Sequence, residues 1–332
     1  MNRKRAVSFG VLGVLAAAFC LAGEISAKAQ DWPIRPVTMV VTNAAGGGPD
    51  AVGRILATRL TEVLARQVVI DNVAGAGGMT GTARVAKAAP DGYQFLLGST
   101  GNMAQLQSLA KNPLYNAATD FAPVVLIAEA PLVLIHRKGL PAANLQGFVA
   151  HARANQAKMQ FGSPGVGSTP HLACALLNAA TGINVTHIPY RGSAPAMRDL
   201  IAGRIDYQCT TVTAAIAQIE SNTVTAVATL SKARSPILPG IPTAHEQGLG
   251  DFDASVWFGF FFPKLAAELI VQKLHDATLA TMNSPSVQNR LRDIGVDLVA
   301  PDRRSPQYLQ RFVEREIEKW AAVIKTANIK EE

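Results

Sequence analysis

The chain has 332 residues, enough for two domains with separate cores, of which 48% are hydrophobic and only 6% aromatic, and it carries a formal net charge of +7. Part of that charge is N-terminal: a cut after Ala29 removes Arg3, Lys4, Arg5, Lys28 and Glu24 and leaves 27 basic against 23 acidic residues. No dense Lys/Arg block with interleaved aromatics occurs, so no nucleic-acid footprint is read, and the scattered histidines offer no metal-ligand spacing.

The first segment reads as a secretory signal. Arg3, Lys4 and Arg5 form a basic start, Ala6 to Ala22 is almost wholly apolar, and Ala27-Lys28-Ala29 supplies small residues for cleavage after Ala29. An uncleaved anchor is the alternative, since the apolar run is near the lower limit for a membrane span. Phe19 before Cys20 argues against a lipid anchor, and Arg3-Lys4-Arg5 lacks the paired arginines of a twin-arginine signal. The expected location is the periplasm.

Beyond the signal, short apolar runs alternate with helical patterns. Strands are predicted over Val37–Val41, Val68–Asp71, Phe95–Gly98, Val124–Ala128, Leu132–His136, Met159–Gly162, Thr186–Pro189, Tyr207–Thr211, Ala226–Leu230 and Val256–Phe262. Val52, Ile55, Leu56, Leu60, Val63 and Leu64 share one helical face, as do Leu309, Phe312, Val313, Ile317, Trp320 and Ile324, with Ser305-Pro306 as N-cap and first turn of the last helix. Such alternation means an α/β protein with mostly parallel sheets, whose ligands sit outside the carboxyl ends of the strands. Two extended stretches, Val124–His136 and Val256–Pro263, read as chain crossings between an outer domain (30–131 and 256–332) and an inserted one (132–255); plain hairpins are the alternative. Trp257 and Phe258 are expected in the core at the second crossing.

Two glycine-rich turns join a strand to a helix. One is Asn43-Ala44-Ala45-Gly46-Gly47-Gly48-Pro49-Asp50, the other Ser163-Pro164-Gly165-Val166-Gly167-Ser168-Thr169-Pro170-His171. Glycines let backbone N–H groups crowd toward one point, proline suits a first helical turn, and the helix dipole favours an anion there. Cys174 and Cys209 remain after processing; in an oxidising compartment they form one disulfide, and otherwise they serve as two buried small hydrophobes.

Several segments together carry a resemblance: Trp32-Pro33-Ile34-Arg35-Pro36-Val37-Thr38, Ala44-Ala45-Gly46-Gly47, Val69-Ile70-Asp71-Asn72-Val73-Ala74-Gly75-Ala76-Gly77-Gly78, Ala89-Pro90-Asp91-Gly92-Tyr93, Gly165 to His171, and Pro189-Tyr190-Arg191-Gly192-Ser193-Ala194-Pro195-Ala196. In this order they resemble the extracytoplasmic substrate-binding proteins of tripartite tricarboxylate transporters, the Bug family. The resemblance implies a type II periplasmic-binding-protein-like fold of two α/β domains with a ligand cleft between them. It also implies no cofactor and no catalysis, a monomer, and a small carboxylate held by loop backbone and ordered water for delivery to integral-membrane transporter subunits.

Position by position, the resemblance places Asn43, Ala44, Ala45, Gly46, Gly47 and Asp50 at one end of the ligand, and Ser163, Gly165, Val166, Gly167, Ser168 and Thr169 at its carboxylate. Ser99, Thr100, Gly101 and Asn102 supply donors from the first rim, and Tyr190, Arg191, Gly192, Thr210 and Thr211 line the opposite wall. Asp50, Ser168 and Thr169 equally suit helix capping, His171 a structural role and Arg191 a solvated loop. Gly75 to Gly78 reads as a tight backbone passage away from ligand. Relatives commonly carry an aromatic where this chain has Asn43, and many carry Asp where it has Thr210. The first change exchanges a stacking wall for an amide; the second removes a partner for an ammonium group, which points to a hydroxy or dicarboxylic acid.

Two other readings stand beside this one. Gly46-Gly47-Gly48-Pro49-Asp50-Ala51 satisfies a dinucleotide-binding fingerprint, with Asp71 near the place of a ribose-binding acid, although no His or Lys stands in a recognisable catalytic setting. The same clamp could also present its ligand to a sensor kinase instead of a permease. A hydrolase is unsupported, because no G-x-S-x-G elbow occurs and Ser168 has no base partner.

Overall fold

The computed structural model describes residues 32–250, 252–326 and 329; the predicted signal lies outside them. Val37–Val41 forms β1 as predicted, and the chain turns through the first glycine segment into helix α1 (Gly48–Leu64). Pro49 occupies the first turn of α1, Val52, Ile55, Leu56 and Leu60 are buried on its inner face, and Ala65 ends it in a left-handed conformation with its N–H on the Glu62 carbonyl. There follow β2 (Val68–Asn72), a 3₁₀ turn (Ala76–Gly78), α2 (Met79–Ala86) and β3 (Gln94–Ser99). A π-helical turn (Gly101–Gln105) and the short α3 (Leu106–Leu109) come next.

The predicted strands Val124–Ala128 and Leu132–His136 are one 17-residue strand, β4 (Phe121–Arg137). Glu129-Ala130-Pro131 continues the strand instead of turning, because each of these residues keeps an antiparallel partner on β9 (Ser255–Pro263). At Leu132 the partners change: Leu132 to His136 pair with β7 (Tyr207–Thr211), and Val133 to Arg137 pair with β8 (Val224–Thr229). The return passage lies beside this point, since Leu230 N–H bonds to the Leu132 carbonyl and Ala254 N–H to the Leu230 carbonyl, each at 2.7 Å.

Between these passages lie α4 (Leu145–Asn155), β5 (Gln160–Ser163), α5 (Thr169–Thr181), β6 (Thr186–Pro189), α6 (Ser193–Ile201) and α7 (Val212–Glu220). After β9 come α8 (Glu268–Met282), α9 (Pro285–Asp293), β10 (Asp297–Leu298) and α10 (Pro306–Thr326). Ser305 caps α10, its Oγ accepting the Tyr308 N–H at 3.1 Å. Among the described residues no helix is long and apolar enough to cross a membrane.

The strand order is β2-β1-β3-β9-β4-β7-β5-β6, with β8 and β10 also pairing β4. Between named strands, parallel pairing joins β1 with β2 and β3, and β5 with β6 and β7; every such pair involving β4 or β9 is antiparallel, so the sheet is more mixed than the alternation of elements predicts. Alternation fixes that helices cover the strands but leaves the direction of the long linking strands open. Those linking strands carry the aromatic core: Phe95 packs edge-on against Phe260 with ring centres 4.9 Å apart, and Trp257 and Phe258 are buried as expected. A separate apolar cluster around Val133, Ile135, Met197, Leu200 and Val212 fills the space under α6 and α7. Cys174 of α5 and Cys209 of β7 are joined by a disulfide with Cα atoms 5.4 Å apart, which fastens that helix to the sheet.

Candidate functional site

In the first glycine turn the chain supplies its own anion. The buried Asp50 carboxylate folds back over the turn, one oxygen accepting the Gly46 N–H and the Arg54 Nε–H, each at 2.9 Å, the other accepting Asn72 Nδ2–H at 3.0 Å. Burial would raise the Asp50 pKa, but the hydrogen bonds from Arg54, Gly46 and Asn72, with the Arg54 charge, outweigh it and hold the group below its ordinary 3.8. Gly47 N–H bonds to the Ala44 carbonyl at 3.4 Å. The dinucleotide fingerprint therefore lacks what it needs, since Asp50 fills its turn and Asp71 is ion-paired to Arg84 at 2.8 Å.

The second turn is held by neutral groups. Ser168 caps α5, its Oγ accepting the His171 N–H at 3.4 Å and donating to the Gly165 carbonyl at 2.6 Å. Gly167 N–H bonds to His171 Nδ1 at 3.2 Å, and Ser163 Oγ accepts the Gly165 N–H at 3.1 Å while lying 2.7 Å from His187 Nε2. Burial first, and the neighbouring His187 second, depress the His171 pKa to about 3, so the ring is neutral at ordinary pH.

Between the turns lies a narrow gap of about 30 Å³. It is lined by Asn43 and Pro49 beyond β1, Ser99 at the end of β3 and Gly101 beyond it, Pro164, Ser168, Thr169 and Pro170 beyond β5, Ser193 beyond β6 and Thr211 at the end of β7, with Gly77 and Val256 closing it. All five of these strands lie in the parallel parts of the sheet and present their carboxyl ends, where an open α/β sheet leaves its crevice. None of the lining residues is charged; Asn43, Ser99, Ser168, Thr169, Ser193 and Thr211 provide an amide and hydroxyls. The walls touch on both sides of the gap. A Cβ on Gly77 (φ +63°) would collide with the Val166 carbonyl, and one on Gly192 (φ +130°) would stand 2.8 Å from Ala44 Cβ. Both positions have backbone angles and clearances that only glycine meets.

Of the site residues expected from the sequence, Asn43, Ser99, Gly101, Ser168, Thr169 and Thr211 meet at this gap. Gly46, Gly47, Asp50, Gly165 and Gly167 form the framework of the two turns, with their polar groups bonded internally as described. Ala44, Val166 and Gly192 make the contacts that flank the gap, and Ala45 is exposed beside them. Thr100 Oγ1 accepts the Trp257 N–H at 2.9 Å, and Asn102 is spent on Ser99 and on Thr82, 2.7 Å from its amide nitrogen. The Tyr190 hydroxyl donates to Asp199 at 2.8 Å and is pushed up to about 12 by burial and by that carboxylate. Arg191 is exposed, and Thr210 precedes Thr211 on the strand, so it faces the other side of the sheet with its buried hydroxyl unpartnered among the described residues.

The gap also includes residues not expected there. Gly77 borders it, and the tight backbone passage read at Gly75 to Gly78 runs there against the Val166 carbonyl. Ser193 could have been found, because Gly192-Ser193 repeats after β6 the Gly-Ser entry that Gly167-Ser168 makes after β5. Pro49, Pro164 and Pro170, which belong to the two turns read from the sequence, supply apolar surface, as does Val256, which carried no sequence signal of contact with the site.

A mixed sheet with an uncharged polar crevice at its strand ends can hold a small solute, and the sequence relationship gives the class. Residues 52–329 match the family described as tripartite tricarboxylate transporter family receptor, and the chain belongs to that family. It is 40% identical over 302 residues to the UPF0065 protein in the TAR-I ttuE-ttuC' intergenic region of Agrobacterium vitis, covering 91% of this chain and 87% of that one. The periplasmic binding protein BugD superposes with a TM-score of 0.87 at 36% identity, over 91% of this chain and all of that one. Two Rhodopseudomonas palustris structures are similar as well. Rpa4515 with adipate gives a TM-score of 0.86 at 35% identity (90% of this chain, 99% of that one), and MatC with bound malate 0.86 at 33% (88% and 100%). The chain is thus a solute-binding receptor in a family of periplasmic receptors, with the fold of a periplasmic binding protein.

Proposed function

We propose that the chain captures a small dicarboxylate or hydroxy acid without an amine between two lobes, residues 30–131 with 256–332 and residues 132–255, and passes it to the membrane subunits of a tripartite transporter. The observation that carries this reading is the uncharged, hydroxyl- and amide-lined gap to which both groups of parallel strands contribute. Each charge-assisted hydrogen bond to a carboxylate contributes roughly 1.5–3 kcal/mol before the costs of association, so four or five reach micromolar affinity. The lack of a carboxylate in the lining leaves an ammonium group without a counter-charge, and at about 30 Å³ the gap admits an acid only when the lobes part. Malate and adipate in the similar structures are acids of this kind. The change of β4's partners at Leu132, beside the return at Ala254, supports rotation of the lobes about those two strands, with a ligand touching both lobes favouring the closed form.

L-malate and L-aspartate share a carbon skeleton and differ by hydroxyl against ammonium, which makes them the discriminating pair. Calorimetric titration is expected to show malate or adipate binding at least tenfold tighter than aspartate. Saturable binding of aspartate with none of either diacid would refute the assignment.

A further inference from the structure

The second glycine turn rests on a stacked pair of histidines that takes no part in lining the gap. His171 opens α5 and His187 lies in β6; their rings stack with centres 4.2 Å apart, and Phe161 of β5 stacks on His187 at 4.7 Å. Both imidazoles are buried, at 2% and 8% exposure, so neither is placed for contact with solvent. Each meets a different part of the turn: His171 Nδ1 accepts the Gly167 N–H, and His187 Nε2 lies at the Ser163 hydroxyl that in turn takes the Gly165 N–H. Gly167 has φ +76° and the Ser168 hydroxyl is directed to the Gly165 carbonyl, so the two rings set the course of the backbone from Ser163 to Thr169.

We propose that His171 is a positioning residue for ligand capture, which as a neutral, Nε2-protonated ring accepts the Gly167 amide and so holds Ser168 and Thr169 toward the gap. Protonation turns that acceptor into a donor and leaves two N–H groups facing each other. The titratable groups around it are few: His187 of β6 lies against it, and beyond Phe161 stands the Tyr207 phenol of β7, which donates to Asn178 and is raised by burial. Burial and the ring stacked against it both disfavour a proton on His171, so its acceptor nitrogen stays available while the turn is in use.

The decisive experiment needs no ligand and is separate from the proposed function, on which only its binding arm rests. Long-range ¹H–¹⁵N spectra of the full chain at pH 7 are expected to show His171 protonated at Nε2, and a His171 ring protonated at Nδ1 overturns the proposal. Amide exchange at Gly167 should be unchanged within about threefold in His171→Asn, whose Oδ1 replaces Nδ1 as acceptor, and at least tenfold faster in His171→Leu; equal exchange in the two variants also overturns it. If His171→Leu does not fold, the tautomer of the wild-type ring decides. In the binding arm, titration with L-malate should follow the same division, with His171→Asn retaining affinity and His171→Leu losing tenfold or more. Failure of both malate and adipate to bind the wild-type chain contradicts the function above and leaves the two spectroscopic readouts standing.

Discussion

The turn after β1 is held by an ion pair and the turn after β5 by imidazole rings and hydroxyls, although both follow a parallel strand into a helix with proline in its first turn. Asp50 brings a full negative charge to its turn and carries Arg54 with it, whereas His171, Ser163 and Ser168 bond the same kind of backbone group without charge. A glycine-rich entry to a helix is therefore a receptor for whatever group reaches it, including one from its own chain. Charge is kept at one wall and behind its turn, and the gap itself stays uncharged. The second turn also has a covalent support, because Cys174 lies in the helix it opens.

That support gives the largest expected effect. The disulfide closes a loop of 35 residues in sequence separation, and replacing Cys174 and Cys209 by Ala together should cost about 3–4 kcal/mol, read as a lower midpoint in urea unfolding. Asp50→Ala tests the other turn: it leaves the Gly46 N–H and one of the two Asn72 Nδ2–H donors without an acceptor, the other staying on the Asn43 carbonyl, and should destabilise by about 3 kcal/mol, a fall in Tm of several degrees. Gly77→Val addresses the meeting of the walls. Its side chain would collide with the Val166 carbonyl and should weaken malate binding at least about a hundredfold in calorimetry, while circular dichroism stays native.

Acid separates the turns by the pH at which each weakens. His171 titrates at about 3 when folded and 6.5 when free, so the unfolded chain binds the proton first. Its contribution is complete above pH 6.5 and is lost on acidification toward pH 3, at up to about 1.4 kcal/mol per pH unit. Asp50, held below its ordinary 3.8, contributes fully above that value and loses its share only below it. Thermal melts from pH 8 to pH 3 should thus fall from near pH 6.5 in the wild type, and His171→Asn should flatten that decline without altering the loss below pH 4. The smallest effect is expected from Arg54→Ala: with the guanidinium side chain 55% exposed, screening limits the change to under about 1 kcal/mol in the same melts.

How legible these features were depends on the distance over which the residues act. β1, β6 and β7 were predicted to the residue, because an apolar run bounded by turn residues is local information. β4 was divided in two because Glu129 and Pro131 signal a break, and only the partner strand Ser255–Pro263 shows that their backbone remains paired. Six of the expected site residues meet at the gap since strand ends converge there by topology. Asn102, Tyr190 and Asp50 face other partners, a choice made by contacts up to 60 residues away, as between Asn102 and Thr42. The histidine pair was invisible for the same reason: two separate strands and a helix bring Phe161, His171 and His187 into one stack.

The central claim is that one small acid is held by both turns at once. Titration of the ¹⁵N-labelled chain with L-malate or adipate at neutral pH tests it directly, since every backbone amide reports separately. Saturable shifts at Asn43 and Ser99 on one wall together with Ser168, Thr169 and Thr211 on the other are the predicted result. Shifts confined to one wall, or centred away from the gap, would contradict it.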